Sequence, residues 1–282
     1  MRLGFYSPEI KGQDVHEVFA KARAYGFTEV QYNFLTSHQE EMPADFWPDE
    51  LQQVAGAAKE QGIRITAVNG TFNMVDSDKE RRSEYVRRFR LICEAAAYFK
   101  APIVTLCTGS KSPAGMWRYS PETAKEEVFE ELLETTGKIM PCAAEYDLIF
   151  GVETEASNVI FTPERCRRYL DEIGDPHLRV IMDCANLFPA GSARKENVDE
   201  TIRRAFALLG KDVVLAHGKD IAESGTVSFA SPGMGIVNYE LFFELLKKIQ
   251  YDGGLILHGI HNTADFEPCV RIMQEKMMLA GV

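Results

Sequence analysis

Three side chains able to bind a divalent cation stand at the ends of three apolar runs in the middle of the chain. Glu153 lies in 148–156 (LIFGVETEA), Asp183 in 178–188 (LRVIMDCANLF) and His217 in 213–220 (VVLAHGKD). A carboxylate placed after a buried apolar run is costly to desolvate unless it is paired or bound to a cation. Two carboxylates and an imidazole at the ends of successive strands have the donor types of a divalent-metal site. Alternation along a strand puts Glu155 on the face of Glu153, one layer nearer a substrate, and Lys219 on the face of His217. A lysine aimed into a cleft beside a cation can hold a developing oxyanion. His258, in LILHGI, ends a later apolar run and can serve as a fourth ligand or as an acid–base group.

Each residue also has a structural reading. Glu153 and Glu155 could be a solvated pair at a strand end, and Asp183 a helix cap, although Asn186 and Ser192 lie nearer the next helix. Lys219 could pair with Asp220 or Glu223, and Asn186 could cap its loop or reach a substrate. Asn69 opens the polar tip of another apolar run. Trp117 and Arg118 lie in a long loop, where an aromatic can wall a pocket and an arginine can bind an anion. Against that stands a contact with a partner subunit. The segment 231–235 (SPGMG) offers backbone N–H groups before a helix, able to hold a substrate oxygen or a phosphate, or to form a plain turn.

These residues need a frame. A short apolar run, a polar loop and a helix-like segment recur about eight times, which is the count of a (β/α)8 barrel. Strand-like runs are 3–7, 29–34, 63–69, 103–107, the three already named, and 255–258. Helical segments are 15–25, 50–61, 79–100, 120–146, 163 onward, 197–209, 238–249 and 266–279. Near-continuous apolar strands, each followed by an amphipathic helix, imply a parallel sheet covered on its outer face. Gly26 sits where a left-handed helix end is expected. Ser120 with Pro121, and Thr162 with Pro163, read as helix caps, and Pro141 is expected to kink or split the fourth helix. No dinucleotide or phosphate-loop glycine motif follows any strand, which weakens an open doubly wound sheet. No linker divides the chain, so 1–282 is read as a single α/β domain. The loops 36–49, 110–120, 189–196 and 222–237 all follow strands, where a barrel builds its active site.

The composition agrees with an enzyme of small molecules. Net charge is −11, a poor start for phosphate-backbone contact. The arginines of 81–90 are interleaved with Glu84 and read as a solvated face. The six cysteines form no CxxC pair and read as small hydrophobes in a reducing compartment. No signal peptide or membrane span is evident, so a cytoplasmic location without nucleic-acid or membrane partners is expected.

The segments GVETEASN, IMDCANLF, HGKD and PGMGIVNYELFFELLKKIQYDGGLIL leading to His258 resemble the xylose isomerase-like TIM barrel superfamily of sugar isomerases and epimerases. That group includes ketose 3-epimerases, inosose dehydratases and isomerases, and endonuclease IV-like enzymes. The resemblance covers the chain in element order. It implies a divalent ion, Mn2+ or Mg2+ with Zn2+ or Co2+ as alternatives, held by Glu153, Asp183, His217 and a residue at position 258. The ketose 3-epimerases it resembles carry Glu at that last position, and two of their carboxylates shuttle the proton. Here it is His258, so the two-glutamate shuttle does not transfer. The resemblance implies an isomerase or epimerase of carbohydrate metabolism, acting on a ketose, keto-inositol or sugar phosphate through a metal-held enediolate. Glu153, His258 and Lys219 would be catalytic, and Glu155, Asn186, Asn69, Trp117 and Arg118 would contact a sugar or polyol. A homodimer or homotetramer is the expected assembly. A dehydratase or lyase on a keto-sugar or keto-inositol is the alternative. An endonuclease IV-like nuclease and a non-catalytic sugar-binding barrel are less favoured. Few histidines, several of them off strand ends (His16, His38, His177), and the acidic balance argue against the nuclease.

Overall fold

The computed structural model of the chain describes residues 1–38, 40–189, 191–223 and 229–282. Eight parallel strands close into a barrel: β1 (Arg2–Tyr6), β2 (Glu29–Tyr32), β3 (Arg64–Asn69), β4 (Ile103–Leu106), β5 (Ile149–Glu153), β6 (Leu178–Asp183), β7 (Val213–Gly218) and β8 (Gly254–Leu257). Each neighbours the next in sequence, and β1 pairs with β8 to complete the circle. Helices alternate with them: α1 (Val15–Tyr25), α2 (Glu50–Gln61), α3 (Lys79–Phe99), α4 (Glu126–Tyr146), α5 (Pro163–Ile173), α6 (Lys195–Leu209), α7 (Tyr239–Lys248) and α8 (Phe266–Ala280). The chain is therefore a single-domain (β/α)8 TIM barrel, as its alternating pattern predicts.

Strand parity divides the barrel into two environments. Phe5, Val30, Val68, Val104, Val152, Met182, Ala216 and Leu257 point outward into the main core beneath the helices. Ala67, Ile103, Ile181, Leu215 and Ile256 point inward and form a separate apolar plug. Close filling explains Gly151: a β-carbon there would lie 2.7 Å from the Ile181 side chain. Above the plug, the last inward residue of each strand is polar: Tyr6, Gln31, Asn69, Thr105, Glu153, Asp183, His217 and, just past β8, His258.

Several local expectations hold. Gly26 ends α1 at φ 94°, and the Thr162 hydroxyl accepts from the Arg165 N–H at 3.3 Å. Others do not. The expected helix from Ser120 is broken: Pro121–Ala124 is one 3-10 turn, Ser120 makes no side-chain cap, and α4 begins at Glu126. The extended Lys125 between them ends the first turn. Pro141 lies inside α4 without splitting it. Pro141 and Gly137, whose carbonyl would have met the missing N–H, are both exposed, so water can take that partner's place. The three runs that carry Glu153, Asp183 and His217 are shorter as strands than expected. β5 stops at Glu153, and β6 stops at Asp183 before a 3-10 turn, Ala185–Leu187. After β7, Asp220–Ile221 leaves the barrel to pair with Phe229–Ala230. The middle of the loop expected at 222–237, residues 224–228, lies outside the described residues.

Candidate metal centre

Barrel register brings the candidate ligands together. Asp183 is the ladder partner of His217, and His258, which donates its backbone N–H to Gly218 at 3.1 Å, stands beside Lys219. One ligand atom from each of Asp183, His217 and His258 lies within 4.8 Å of the others. The His217 Nδ1 is 3.6 Å from both Glu153 Oε2 and Asp183 Oδ2. Among the described residues, four buried side-chain polar atoms have no hydrogen-bond partner. Three of them are here: Asp183 Oδ2, His217 Nδ1 and His258 Nδ1. Buried acceptors aimed at one another without a donor are destabilising unless a cation or a proton lies between them. This donor set fits a divalent cation held by Asp183, His217 and His258, with Glu153 beside them.

Surrounding groups fix the ligand orientations. The His217 Nε2 lies 2.8 Å from the Gln31 Oε1. A carbonyl oxygen only accepts, so Nε2 carries a hydrogen and Nδ1 is the nitrogen left to take a cation or a proton. Asp183 serves twice: Oδ1 accepts from the N–H groups of Ala185 and Asn186 at 2.8 and 3.2 Å, which shapes the turn after β6 and leaves Oδ2 for the centre. The cap reading and the ligand reading of Asp183 are thus compatible. Asn186 links two further groups, donating Nδ2–H to Glu153 Oε1 and accepting from Lys219 Nζ at 2.9 Å. The Lys219 ammonium also lies 3.8 Å from the Phe229 ring centroid. It does not pair with Asp220, whose carboxylate accepts four backbone N–H groups, from Ile221, Gly233, Gly235 and Val237. The amides of SPGMG that could have met a phosphate are therefore partly spent on Asp220.

Charge crowding shapes the proton affinities. Burial pulls the His217 imidazole down, but the Glu153 and Asp183 carboxylates outweigh it and push it up to about 9. Burial raises the Glu153 carboxyl, with His217 opposing and Asp183 reinforcing. Burial also works against the charge of Asp183, yet contact with His217 and the Lys219 ammonium hold that carboxyl well below the usual range. Burial, then the charges of Lys219 and His217, keep the His258 imidazole far below its ordinary value, so it is neutral. Glu155 is raised by burial, with Lys219 opposing.

The centre forms the floor of a cavity of about 870 Å3 at the C-terminal end of the barrel. Glu153, Glu155, Asn69, Asn186, Lys219, His217, His258, Trp117 and Arg118 all line it. Trp117 and Arg118 are exposed at its rim. Several lining groups, Gln31, Tyr6, Glu41 and Phe229 among them, did not emerge from the sequence. Gln31 and Tyr6 are the terminal inward residues of β2 and β1, and the parity rule that picks out Glu153 would have found them. Glu41, in the loop after β2, accepts from Asn33 and Asn69 at 2.9 and 3.0 Å, and burial raises its carboxyl. Phe229 belongs to the small ribbon and had no sequence signal. Glu9, behind His258, had none either.

Known proteins share this fold. The chain is 24% identical over 156 residues to an inosose dehydratase of Glaesserella parasuis serovar 5 (strain SH0165). That match spans about half of each protein, 51% of both. The fold superposes on a 3-keto-D-glucoside 4-epimerase from E. coli with a TM-score of 0.72 and 18% identity, covering 100% of this chain and 99% of that one. It also superposes on the IolI protein, solved with a bound zinc atom, with a TM-score of 0.73 and 14% identity over 99% of this chain and 98% of that one. The family model described as xylose isomerase-like TIM barrel matches residues 19–275, and the chain belongs to that family.

Proposed function

We propose that this protein is a divalent-metal-dependent isomerase or epimerase of a small keto-sugar or keto-inositol. The observation that carries the reading is the convergence of three unpartnered buried ligand atoms, from Asp183, His217 and His258, on the floor of a sugar-sized cavity. A bound divalent cation would polarise a hydroxy-carbonyl group and make the adjacent C–H acidic. Glu153 is placed to take that proton: its Oε1 is steadied by Asn186, and its Oε2 faces the centre. The Lys219 ammonium, tied through Asn186 to the same carboxylate, supplies positive charge beside the oxygen that gains electron density. Glu155, on the same strand face and lining the same cavity, is a second carboxyl able to return a proton. His258 is counted with the ligands. Asn69, Glu41 and Thr105 offer hydroxyl partners along the opposite wall, and Trp117 offers a flat face at the rim.

An unphosphorylated substrate suits the lining better than a sugar phosphate. Three carboxylates, Glu41, Glu153 and Glu155, line the cavity with Lys219 and Arg118, and the SPGMG amides of Gly233 and Gly235 are turned to Asp220.

Dehydration is the second reading. It shares the first proton removal, and the partial match to an inosose dehydratase supports it. Incubation of metal-reconstituted protein with a panel of ketoses and keto-inositols in D2O tests both. Deuterium entering next to the carbonyl with the carbon count and oxygen count unchanged supports isomerisation. Loss of water with a new ultraviolet chromophore assigns dehydration. Full turnover by metal-stripped protein would overturn the metal-dependent reading.

A further inference from the structure

The histidine at 258 has a carboxylate behind it. Its Nε2 lies 3.5 Å from the Glu9 Oε1, while its Nδ1 is buried and without a partner. Glu9 follows β1, in the 3-10 turn Ser7–Glu9. Its own position is fixed by the chain segment it serves: Oε1 accepts from the Gly259 N–H at 2.7 Å and Oε2 from the Ile260 N–H at 3.0 Å. The Tyr6 ring packs edge-on against the imidazole, with centroids 4.6 Å apart. In His217, Nε2 bonds the Gln31 Oε1 at 2.8 Å and Nδ1 lies 3.6 Å from Glu153 and Asp183; in His258, Nε2 lies 3.5 Å from Glu9 and Nδ1 is the buried nitrogen left without a partner.

Resting on the metal-centre reading above, we propose that Glu9 is the positioning residue that makes His258 a metal ligand through Nδ1. The centre thereby becomes a two-imidazole, carboxylate set that prefers Zn2+ or Co2+ to Mg2+. A carboxylate behind an imidazole fixes the tautomer and raises the basicity of the inward nitrogen. Imidazole donors favour zinc and cobalt, whereas magnesium favours oxygen donors and keeps its water.

Cobalt is the probe, because its bound state is read by spectroscopy without turnover. The Co2+-loaded protein should show two solvent-exchangeable, paramagnetically shifted imidazole N–H resonances, one held by Gln31 and one by Glu9. A single such resonance overturns the assignment, and this measurement needs no variant. In variants, Glu9→Gln should weaken Co2+ binding about tenfold or more and alter its visible spectrum. In a His258→Gln background the same change should have little effect, because the two residues act through one bond. Equal losses in both backgrounds overturn the proposal. Competition should show Zn2+ displacing Mg2+ at far lower concentration, and His258→Glu should narrow that preference; an unchanged preference counts against it. A protein that meets these expectations yet exchanges no substrate deuterium sinks the proposed reaction and leaves the ligand assignment standing. Turnover with a single shifted resonance does the reverse.

Discussion

A carboxylate that removes a carbon-bound proton must be ionised when substrate arrives and must not wander. Glu153 meets the second requirement through Asn186, and a bound cation, together with the Lys219 charge held by the same Asn186, would meet the first. Glu153→Gln keeps the shape and the Asn186 contact but removes the base. Its rate of deuterium exchange should fall by about 10²–10⁴-fold, with the far-ultraviolet dichroism unchanged; exchange within a few-fold of wild type would remove Glu153 from the mechanism. A second residue-scale prediction lies away from the centre. Contact with Cys93, and then the Arg90 guanidinium, bring the half-buried Cys142 thiol down to about 7. The thiolate is the nucleophile, so alkylation by iodoacetamide should rise with pH through a midpoint near that value. Cys142 should react before the five buried cysteines, and mass spectrometry of the first modified peptide checks both points. At this scale, the sequence revealed the groups that interrupt apolar runs. Glu153, Asp183 and His217 stand out because each follows residues that belong in a core. Gln31 and Tyr6 do not, because a glutamine in EVQYNF and a tyrosine in LGFYS are ordinary strand residues that parity alone sets apart. Glu9 could not be found at all, since its partners are amides 250 and 251 residues further on.

At the scale of elements, the loop after β7 is organised by one side chain. Asp220 gathers the N–H groups of Ile221, Gly233, Gly235 and Val237, and Gly235 has no β-carbon because one would lie 2.3 Å from the Asp220 Oδ1. The segment reads in sequence as an anion-binding loop because glycine-rich amides before a helix often are one. The anion here is the protein's own carboxylate. Asp220→Ala should strand these buried donors and cost about 3 kcal/mol or more. The melting midpoint should drop, and Lys219, whose carbonyl accepts from the Tyr239 hydroxyl at 2.9 Å, should lose its support. An unchanged melting curve would show that the loop is held by something else. Strand and helix order was legible because period-2 and period-3.6 patterns alternate without interruption. The ends were less so: β5, β6 and β7 stop where side-chain bonds such as those to Asp183 Oδ1 compete with the ladder, and that competition depends on tertiary neighbours.

Across the whole molecule, the barrel closes by bringing β5 to β8 around one crowded point, and that crowding carries a cost. With no cation, a proton on His217, 3.6 Å from the Glu153 and Asp183 carboxylates, balances part of their charge, while Asp183 Oδ2 and the two imidazole Nδ1 atoms make no hydrogen bond. A divalent cation that bridges β6, β7 and β8 would partner these atoms and tie together strands that meet late in the chain. At a free concentration near 100 times its dissociation constant, such an ion stabilises the folded state by about 2.7 kcal/mol. For a chain of this size that is a rise of roughly 5–10 °C in the melting midpoint. Asp183→Asn separates the two effects. Asparagine keeps an oxygen for the Ala185 and Asn186 amides, so the turn after β6 survives, while one negative charge leaves the centre. Because His217 and the Lys219 ammonium favour the charged carboxyl in the metal-free protein, the metal-free variant should melt below the wild-type temperature, and the cation-dependent rise should vanish. Differential scanning fluorimetry with and without Co2+ reads both quantities. A variant that keeps the full rise would mean that the cation binds elsewhere.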